Sequence, residues 1–333
     1  MRAAVYRRTG PAAEVLELAE LPDPVPGPGE VLVRLRASGI NPADVKRRAC
    51  WGGMAMAHPL VIPHSDGAGV IEAVGPGVPA ARCGEAVWLY NAQGGYDGAG
   101  RAHGTAAELI ALDAALAVPL PAGLDFARGA CLGVPALTAH RCVLADGPVA
   151  GQWVLVQGGA GAVGHLAVQI ASTAGARVIA TASGAGGCAH ARAAGAEAVI
   201  DRQREDVAAR VGEITGGTGV ARIVEVDFAA NLATDIAVLQ ANGVLASYSS
   251  SSDPAPVLPY YALARKGLNL RIVQGFHLPA AALAEAVAYL AERAPSLDIA
   301  IGARFPLERI AGAHARVEAG VQAGGPGQTV IEL

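Results

Sequence analysis

The segment Trp153-Val154-Leu155-Val156-Gln157-Gly158-Gly159-Ala160-Gly161-Ala162-Val163-Gly164 constrains the fold more than any other part of the chain. Its apolar run reads as a strand buried on both faces. The run passes directly into a glycine-rich turn, and a helical stretch follows from Ala162 to about Ala174. Strand, tight turn and helix in direct succession begin a βαβ unit, and such units build parallel sheets.

The same alternation continues downstream. Apolar strands are expected at Arg177–Ala182, Ala198–Asp201, Ile223–Asp227, Val244–Tyr248 and Leu270–Val273, with helical stretches between them. Fully apolar strands alternating with helices predict a doubly wound α/β domain, read here over residues 126–269. The first 125 residues differ. They are rich in Pro and Gly and break into short strands at Val31–Ala37, Gly69–Gly75 and Ala86–Leu89, the pattern of a partly open β-barrel. A helix start is expected at Asn41-Pro42-Ala43-Asp44, with Asn41 as cap and Pro42 in the first turn. The tail offers one helix, Ala280–Arg293, and a last strand at Thr329–Leu333. It is too short for its own core, so residues 270–333 are expected to complete the N-terminal domain.

The glycine spacing carries chemistry. Bare glycines let backbone N–H groups approach a pyrophosphate, and the helix N-terminus adds favourable partial charge. Gly158, Gly161 and Gly164, with Ala162 and Val163 in the first turn, are therefore the expected dinucleotide cradle. NAD sites usually carry Asp or Glu after the second strand to hold the ribose diol. Here that strand runs into Ser183-Gly184-Ala185-Gly186-Gly187, and the next carboxylate in sequence is Glu197. This favours NADP over NAD, with Ser183 against the 2′-phosphate and His190 or Arg192 as cationic support. Arg192 also reads as an ordinary solvated helix residue.

Composition narrows the field. The chain is 52% hydrophobic and 16% charged, which rules out disorder over most of its length. Net charge is −4, so there is no basic field for nucleic acid. No run of 18 apolar residues free of Gly, Pro or charge appears, so no membrane span is expected. The N-terminus lacks the apolar core of a signal peptide, and the expected location is cytoplasmic. Five scattered cysteines with no C-x-x-C pair fit reduced thiols, not a disulfide frame or structural zinc. His58, His103, His165 and His314 lack partners at metal or triad spacing and read as loop or helix-surface residues.

Several further segments carry a resemblance: Pro28–Val33, Gly39–Asp44, Asp66–Ile71, Val74–Val78, Ala136–His140, the glycine turn, and Ala194–Asp201. With them the chain resembles the medium-chain dehydrogenase/reductase superfamily, in its zinc-free quinone oxidoreductase branch, over essentially its whole length. The resemblance implies a GroES-like catalytic domain, a Rossmann domain and a homodimer formed through the Rossmann sheets. The positions that hold catalytic zinc in alcohol dehydrogenases carry Asn41, Ser65 and Val134, so no metal is expected. Asn41 resembles the family's polar residue near the nicotinamide and substrate, and Asp44 follows one turn later as a second catalytic candidate. Thr138 is expected to face the cofactor, and His140 stands where relatives often have Tyr. Ser247, Tyr248 and Ser249 after the fifth strand, and Phe276 and His277 after the sixth, match loops that touch the nicotinamide. Gly324–Gln328 is expected to close over the adenosine end. The loops 46–60 and 88–105 are expected to line the acceptor pocket.

These readings predict metal-independent reduction of quinones by NADPH through hydride transfer. An alkene reductase acting on enals, enones or enoyl thioesters uses the same parts. A low-turnover dinucleotide-binding sensor or structural protein is the alternative of another class.

Overall fold

The structure, a computed structural model, describes residues 1–94, 100–323 and 326–333. It divides the chain into two units. One comprises Met1–Pro135, Val287–Gln322 and Gln328–Leu333; the other comprises Ala136–Ala286 and Ala323–Gly327.

The first unit is organised by the strand Glu30–Ile40. Val31, Val33 and Leu35 are buried while Arg34 and Arg36 face water, the period-two pattern of a half-buried strand. This strand pairs antiparallel with Asp66–Val74, Leu109–Asp113 and Gln328–Glu332. The sheet extends through Ala86–Leu89 to Ala117–Pro119 on one side and ends at Ile301–Pro306 on the other. Val31, Val33, Leu35, Ile71, Val87, Leu89, Ile110 and Leu112 fill its interior. A second cluster joins Ala3–Val5 to Ile40, Leu307, Ile310 and Ile331, which ties the C-terminal segment to the N-terminal one.

The second unit has strands β1 (Trp153–Val156), β2 (Arg177–Ala182), β3 (Ala198–Asp201), β4 (Val220–Glu225), β5 (Leu239–Ser247) and β6 (Asn269–Ile272). Its helices include α1 (Ala162–Thr173), α2 (Gly184–Ala193), α3 (Val207–Thr215) and α4 (Phe228–Val238). All strand pairs are parallel, in the order β3-β2-β1-β4-β5-β6. Leu155, Ile179, Ile200, Ile223 and Leu245 form one face of its core with Phe228 and Leu232 of α4. The chain leaves β1 toward β2 on one side, while β4 lies on the other. Ligands of such sheets bind at this reversal, outside the carboxyl ends of the strands.

The expected domain limits shift. The first boundary falls after Pro135, not at residue 125, and the return to the first unit falls at Val287, not at residue 270. The cause is β6: it extends the parallel sheet by pairing with β5, so the chain through Ala286 belongs to the second unit. The expected strand at Leu270–Val273 therefore closes the second unit and does not begin the return to the first. Among the described residues, no helix is long and apolar enough to cross a membrane.

Candidate active site

The cradle is built as its glycines demand. Gly158 has φ +71°, which a side chain rarely tolerates. A Cβ on Gly164 would stand 2.2 Å from the carbonyl oxygen of Gly158, and one on Gly159 would stand 2.8 Å from Ala180 Cβ. These absences let α1 pack directly on the end of β1. Gly161 caps α1, and a Cβ there would meet only Gly158 O, at 3.4 Å. The N–H groups of Ala162, Val163 and Gly164 open the helix and have no acceptor within it. Thr181, the fifth residue of β2, fixes the turn from beneath: its hydroxyl accepts from Gly158 N–H at 3.0 Å and donates to Gln157 Oε1 at 2.8 Å.

Ser183 caps α2, and its hydroxyl is buried with no hydrogen-bond partner. The arginine expected beside it is elsewhere. Arg192 is exposed in the last turn of α2, at the far end of that helix from Ser183. His190 stacks on His165 of α1, ring centroids 3.9 Å apart and planes within 6°. Sequence reasoning missed the groups that gather at the end of β2. The register pairs Asp201 with Ala182, and Asp201 Oδ1 accepts from Gly184 N–H at 3.2 Å. Arg202 N–H donates to Ala182 O at 3.0 Å, and Arg204 Nε lies 3.8 Å from Asp201 Oδ2. The stretch after β2 is thus free of carboxylates in sequence but not in space. The missed signal is the parallel pairing itself, which sets the ends of β2 and β3 side by side.

The remaining candidates of this unit follow β5 and β6. Ser247 is buried and donates to Ser249 O at 3.2 Å; Tyr248 N–H donates to Glu225 O at 3.1 Å. Burial pushes the Tyr248 hydroxyl well above the usual phenol range, so it holds its proton. Ser249 Oγ lies 3.0 Å from Ser251 Oγ. Phe276 is buried and His277 exposed. Thr138 is buried in the helix Val134–Leu144 together with His140, whose pKa burial lowers. Gly324 and Gly325 lie outside the described residues, as do residues 95–99 of the acceptor loop.

In the first unit, Asn41 and Asp44 are both buried at the start of the helix Pro42–Arg48. Asp44 Oδ2 accepts from Asn41 N–H at 2.8 Å, closing a capping box. The Asn41 carboxamide is held at both ends: Nδ2 donates to Asp66 Oδ2 at 2.7 Å, and Oδ1 accepts from Gln328 Nε2 at 3.3 Å. Asp66 Oδ2 also accepts from Val134 N–H at 2.8 Å. Burial pushes Asp66 up to about 8, against the hydrogen bond from Asn41 and reinforced by the charge of Asp44. Burial likewise raises Asp44 to about 6. The hold of Asp66 and Gln328 on the Asn41 carboxamide is not foreseen by the sequence. There Asp66 reads only as a neighbour of the absent zinc position, and Gln328, expected at the end of the loop over the adenosine, instead donates to Asn41.

Zinc does not fit this set. The three relevant positions offer a carboxamide, a hydroxyl and a valine, and structural or catalytic zinc is held by thiolate, imidazole and carboxylate. His64 is near, but Nδ1 is bonded to Ser38 Oγ at 2.8 Å and Nε2 to His314 Nε2 at 2.9 Å. Among the described residues, no group of three His, Cys, Asp or Glu side chains could hold a metal ion. His165 and His314, expected on loops or helix surfaces, are instead core residues. Each has another ring to pack on, His190 and His64 respectively.

Comparison with known proteins agrees with this architecture. Residues 27–122 match the alcohol dehydrogenase GroES-like domain, and residues 162–292 match the zinc-binding dehydrogenase family. A human quinone oxidoreductase is 30% identical over 344 aligned positions, covering 100% of this chain and 98% of that protein. A 2-haloacrylate reductase from a Burkholderia species is 31% identical, covering 77% of this chain and 74% of that one. A mycobacterial protein solved in complex with NADPH superposes with a TM-score of 0.87 at 31% identity, each chain covered in full. The chain belongs to the medium-chain dehydrogenase/reductase superfamily, in its quinone oxidoreductase branch, with a GroES-like and a Rossmann-type domain.

Proposed function

We propose that this chain reduces quinones with NADPH, by hydride transfer and without a metal ion. The observation that carries the reading is the cradle. Gly158 and Gly164 are required by the backbone, but Gly161 has room for a side chain within the protein. A bare backbone there serves a group that must approach the N–H groups of Ala162, Val163 and Gly164, as a pyrophosphate does. The mycobacterial NADPH complex and the human quinone oxidoreductase support the choice of cofactor and acceptor.

When bound, NADPH supplies the hydride, and the protein supplies position and hydrogen bonds. The turn and the first N–H groups of α1 hold the diphosphate. Ser183, with Arg202 and Arg204 nearby, accommodates the 2′-phosphate. Thr138 and the main chain at Ser247–Ser249, Phe276 and His277 bound the nicotinamide. Asn41 orients the reacting partners, with its carboxamide fixed by Asp66 and Gln328. Asp44 holds the Asn41 backbone in place, a positioning role. A quinone accepts hydride with the charge spread onto oxygen, so polarisation by a Lewis acid is not required.

A second reading is reduction of an activated alkene, favoured by the 2-haloacrylate reductase relative. NADPH oxidation measured with 9,10-phenanthrenequinone, an enone and 2-chloroacrylate separates the two. Turnover with the quinone alone supports the first reading, and turnover with the alkenes alone replaces it. Tight NADPH binding without turnover on any acceptor leaves the low-turnover sensor.

The same reading includes a homodimer. Among the described residues no strand pairs with the outer side of β6, and Ile272 (69% exposed), Leu270 (38%), Tyr260 and Tyr261 are exposed apolar or aromatic residues. An open edge with apolar residues is a template for pairing with a second copy.

A further inference from the structure

Beneath the glycine turn lies a chain of buried polar groups that phosphate binding alone does not require. Gly158 N–H donates to Thr181 Oγ1 at 3.0 Å, and the Thr181 hydroxyl donates to Gln157 Oε1 at 2.8 Å. Gln157 Nε2 then donates to Asp235 Oδ1 of α4 at 3.0 Å. Asp235 in turn lies in hydrogen-bonding contact with Glu225, at the carboxyl end of β4. Both acids have no exposed surface. Glu225 Oε1 is occupied: Asn231 Nδ2 donates to it at 2.9 Å, and so does Asp227 N–H. Glu225 Oε2 and Asp235 Oδ2 are left, and no N–H or O–H donor of another residue reaches either.

Two carboxylate oxygens cannot hydrogen bond to each other unless one of them carries a proton. Two buried negative charges in contact would also be strongly unfavourable. A single proton resolves both problems, satisfying two orphan oxygens at once.

We propose that Asp235 and Glu225 share one proton, and that this acid pair positions the glycine turn for the dinucleotide through Gln157 and Thr181. The inference deepens the NADPH reading above and rests on it. The proton sits on Asp235 Oδ2 and is donated to Glu225 Oε2. Asp235 Oδ1 then remains an acceptor for Gln157, which fixes the direction of every bond up to Gly158. Burial and the neighbouring Glu225 push Asp235 up to about 9, so the proton is held at neutral pH. Other groups that face the pair are Asp227, at the cap of α4, and the phenol of Tyr248 beyond β5. Asp227 opposes a second negative charge, and Tyr248, which keeps its proton, is neutral. Gln157 from β1, Thr181 from β2 and Asn231 from α4 are neutral. Asp235 and Glu225 are therefore positioning residues: they act on the cofactor only through the turn.

The test is NADPH affinity against pH, read by nucleotide fluorescence, in the wild type, Asp235→Asn and Thr181→Val. In Asp235→Asn, the amide donates to Glu225 at every pH while its oxygen still accepts from Gln157. The wild type should bind with constant affinity through neutrality and weaken about fivefold or more as the pair loses its proton above about pH 9. Asp235→Asn should match it at pH 7 and stay level through the alkaline range. Thr181→Val keeps its shape but cuts the chain, and should weaken binding about fivefold at pH 7 in a protein that stays folded, with a melting temperature lowered by the buried groups it leaves without a partner. Infrared spectra of the ligand-free protein give an independent readout. A carboxylic-acid C=O band should be present at pH 8, reduced at high pH and reduced at all pH in Asp235→Asn. Parallel alkaline weakening in the wild type and Asp235→Asn, or full affinity in Thr181→Val, overturns the inference while leaving NADPH as the cofactor. Failure of the wild type to bind NADPH at any pH overturns both.

Discussion

A Cβ added to Gly164 would stand 2.2 Å from the carbonyl oxygen of Gly158, closer than van der Waals contact permits. Helix α1 and the turn after β1 can therefore meet only while residue 164 is glycine. Gly164→Ala must open the turn, because the obstacle is backbone and cannot rotate away. Overpacking of this kind costs about 1–3 kcal/mol. The expected outcome is a folded protein with lower melting temperature and NADPH affinity reduced at least about tenfold, measured by calorimetry. Gly161→Ala, where the nearest atom is 3.4 Å away, should leave stability nearly unchanged and still weaken NADPH.

The clamp on Asn41 predicts a different pattern. Asn41→Ala removes one donor to the buried Asp66 carboxyl and the acceptor for Gln328 Nε2. Leaving a buried polar group short of a partner costs about 1–3 kcal/mol. If Asn41 orients the reacting partners, kcat should fall while the Kd for NADPH changes little. Steady-state kinetics beside a binding titration checks this, and unchanged kcat would reduce Asn41 to a helix cap.

Asp66 makes stability depend on pH in a direction opposite to most carboxylates. Its folded pKa, about 8, lies above the ordinary 3.8, so between these values the folded chain keeps a proton that the unfolded chain has released. The corresponding stability is whole below about pH 4 and declines as pH rises toward 8. The slope for one group is at most about 1.4 kcal/mol per pH unit. Asp66→Asn keeps an acceptor for Asn41 and Val134 but has no proton to lose. The difference in denaturation midpoints between wild type and variant should therefore grow in favour of the variant from pH 5 to pH 8.

The parts of this molecule that were legible in the sequence are those whose cause is local. The run Trp153–Val156 is apolar because β1 is covered on both faces, and Gly158 and Gly164 announce a turn that nothing else can make. The Asn41-Pro42-Ala43-Asp44 cap likewise shows in four adjacent residues. What stayed hidden depends on pairing between distant segments. Asp201 reaches Gly184 because β3 lies in register with β2, and Gln328 reaches Asn41 because the last strand returns beside Glu30–Ile40. His165 and His314 each read as lone surface residues, since the ring that each packs on lies elsewhere in the chain. The strand at Leu270–Val273 shows in the sequence, but the domain limit drawn just before it does not hold, because its membership depends on pairing with β5.

The open side of β6 yields a prediction about assembly. Ile272 is 69% exposed on the outermost strand, where a second copy would bury it. Ile272→Lys places a charge at that edge, a common device against strand pairing. Sedimentation should show a dimer for the wild type and a monomer for the variant, with the fold retained because the residue makes little contact within its own chain. A monomeric wild type would remove the dimer from the proposal.

Discrimination between NADPH and NADH should reside in Arg202 and Arg204. Arg202 is anchored by its backbone to Ala182, at the very end of β2, and both side chains are exposed. Arg204 lies 3.8 Å from Asp201 with its side chain 83% exposed, a loose pair that a phosphate can outcompete. Asp201 is itself engaged by Gly184 N–H, which turns part of its charge away from an incoming anion. A doubly charged 2′-phosphate would gain charge-assisted hydrogen bonds from either guanidinium. Replacing both arginines with alanine should therefore raise the Kd for NADPH about tenfold or more while the Kd for NADH stays within about twofold. Arg192→Ala, at the far end of α2, should change neither. Equal losses for the two nucleotides would mean that these arginines serve the fold and not the phosphate, and an effect confined to Arg192→Ala would restore the reading drawn from sequence alone.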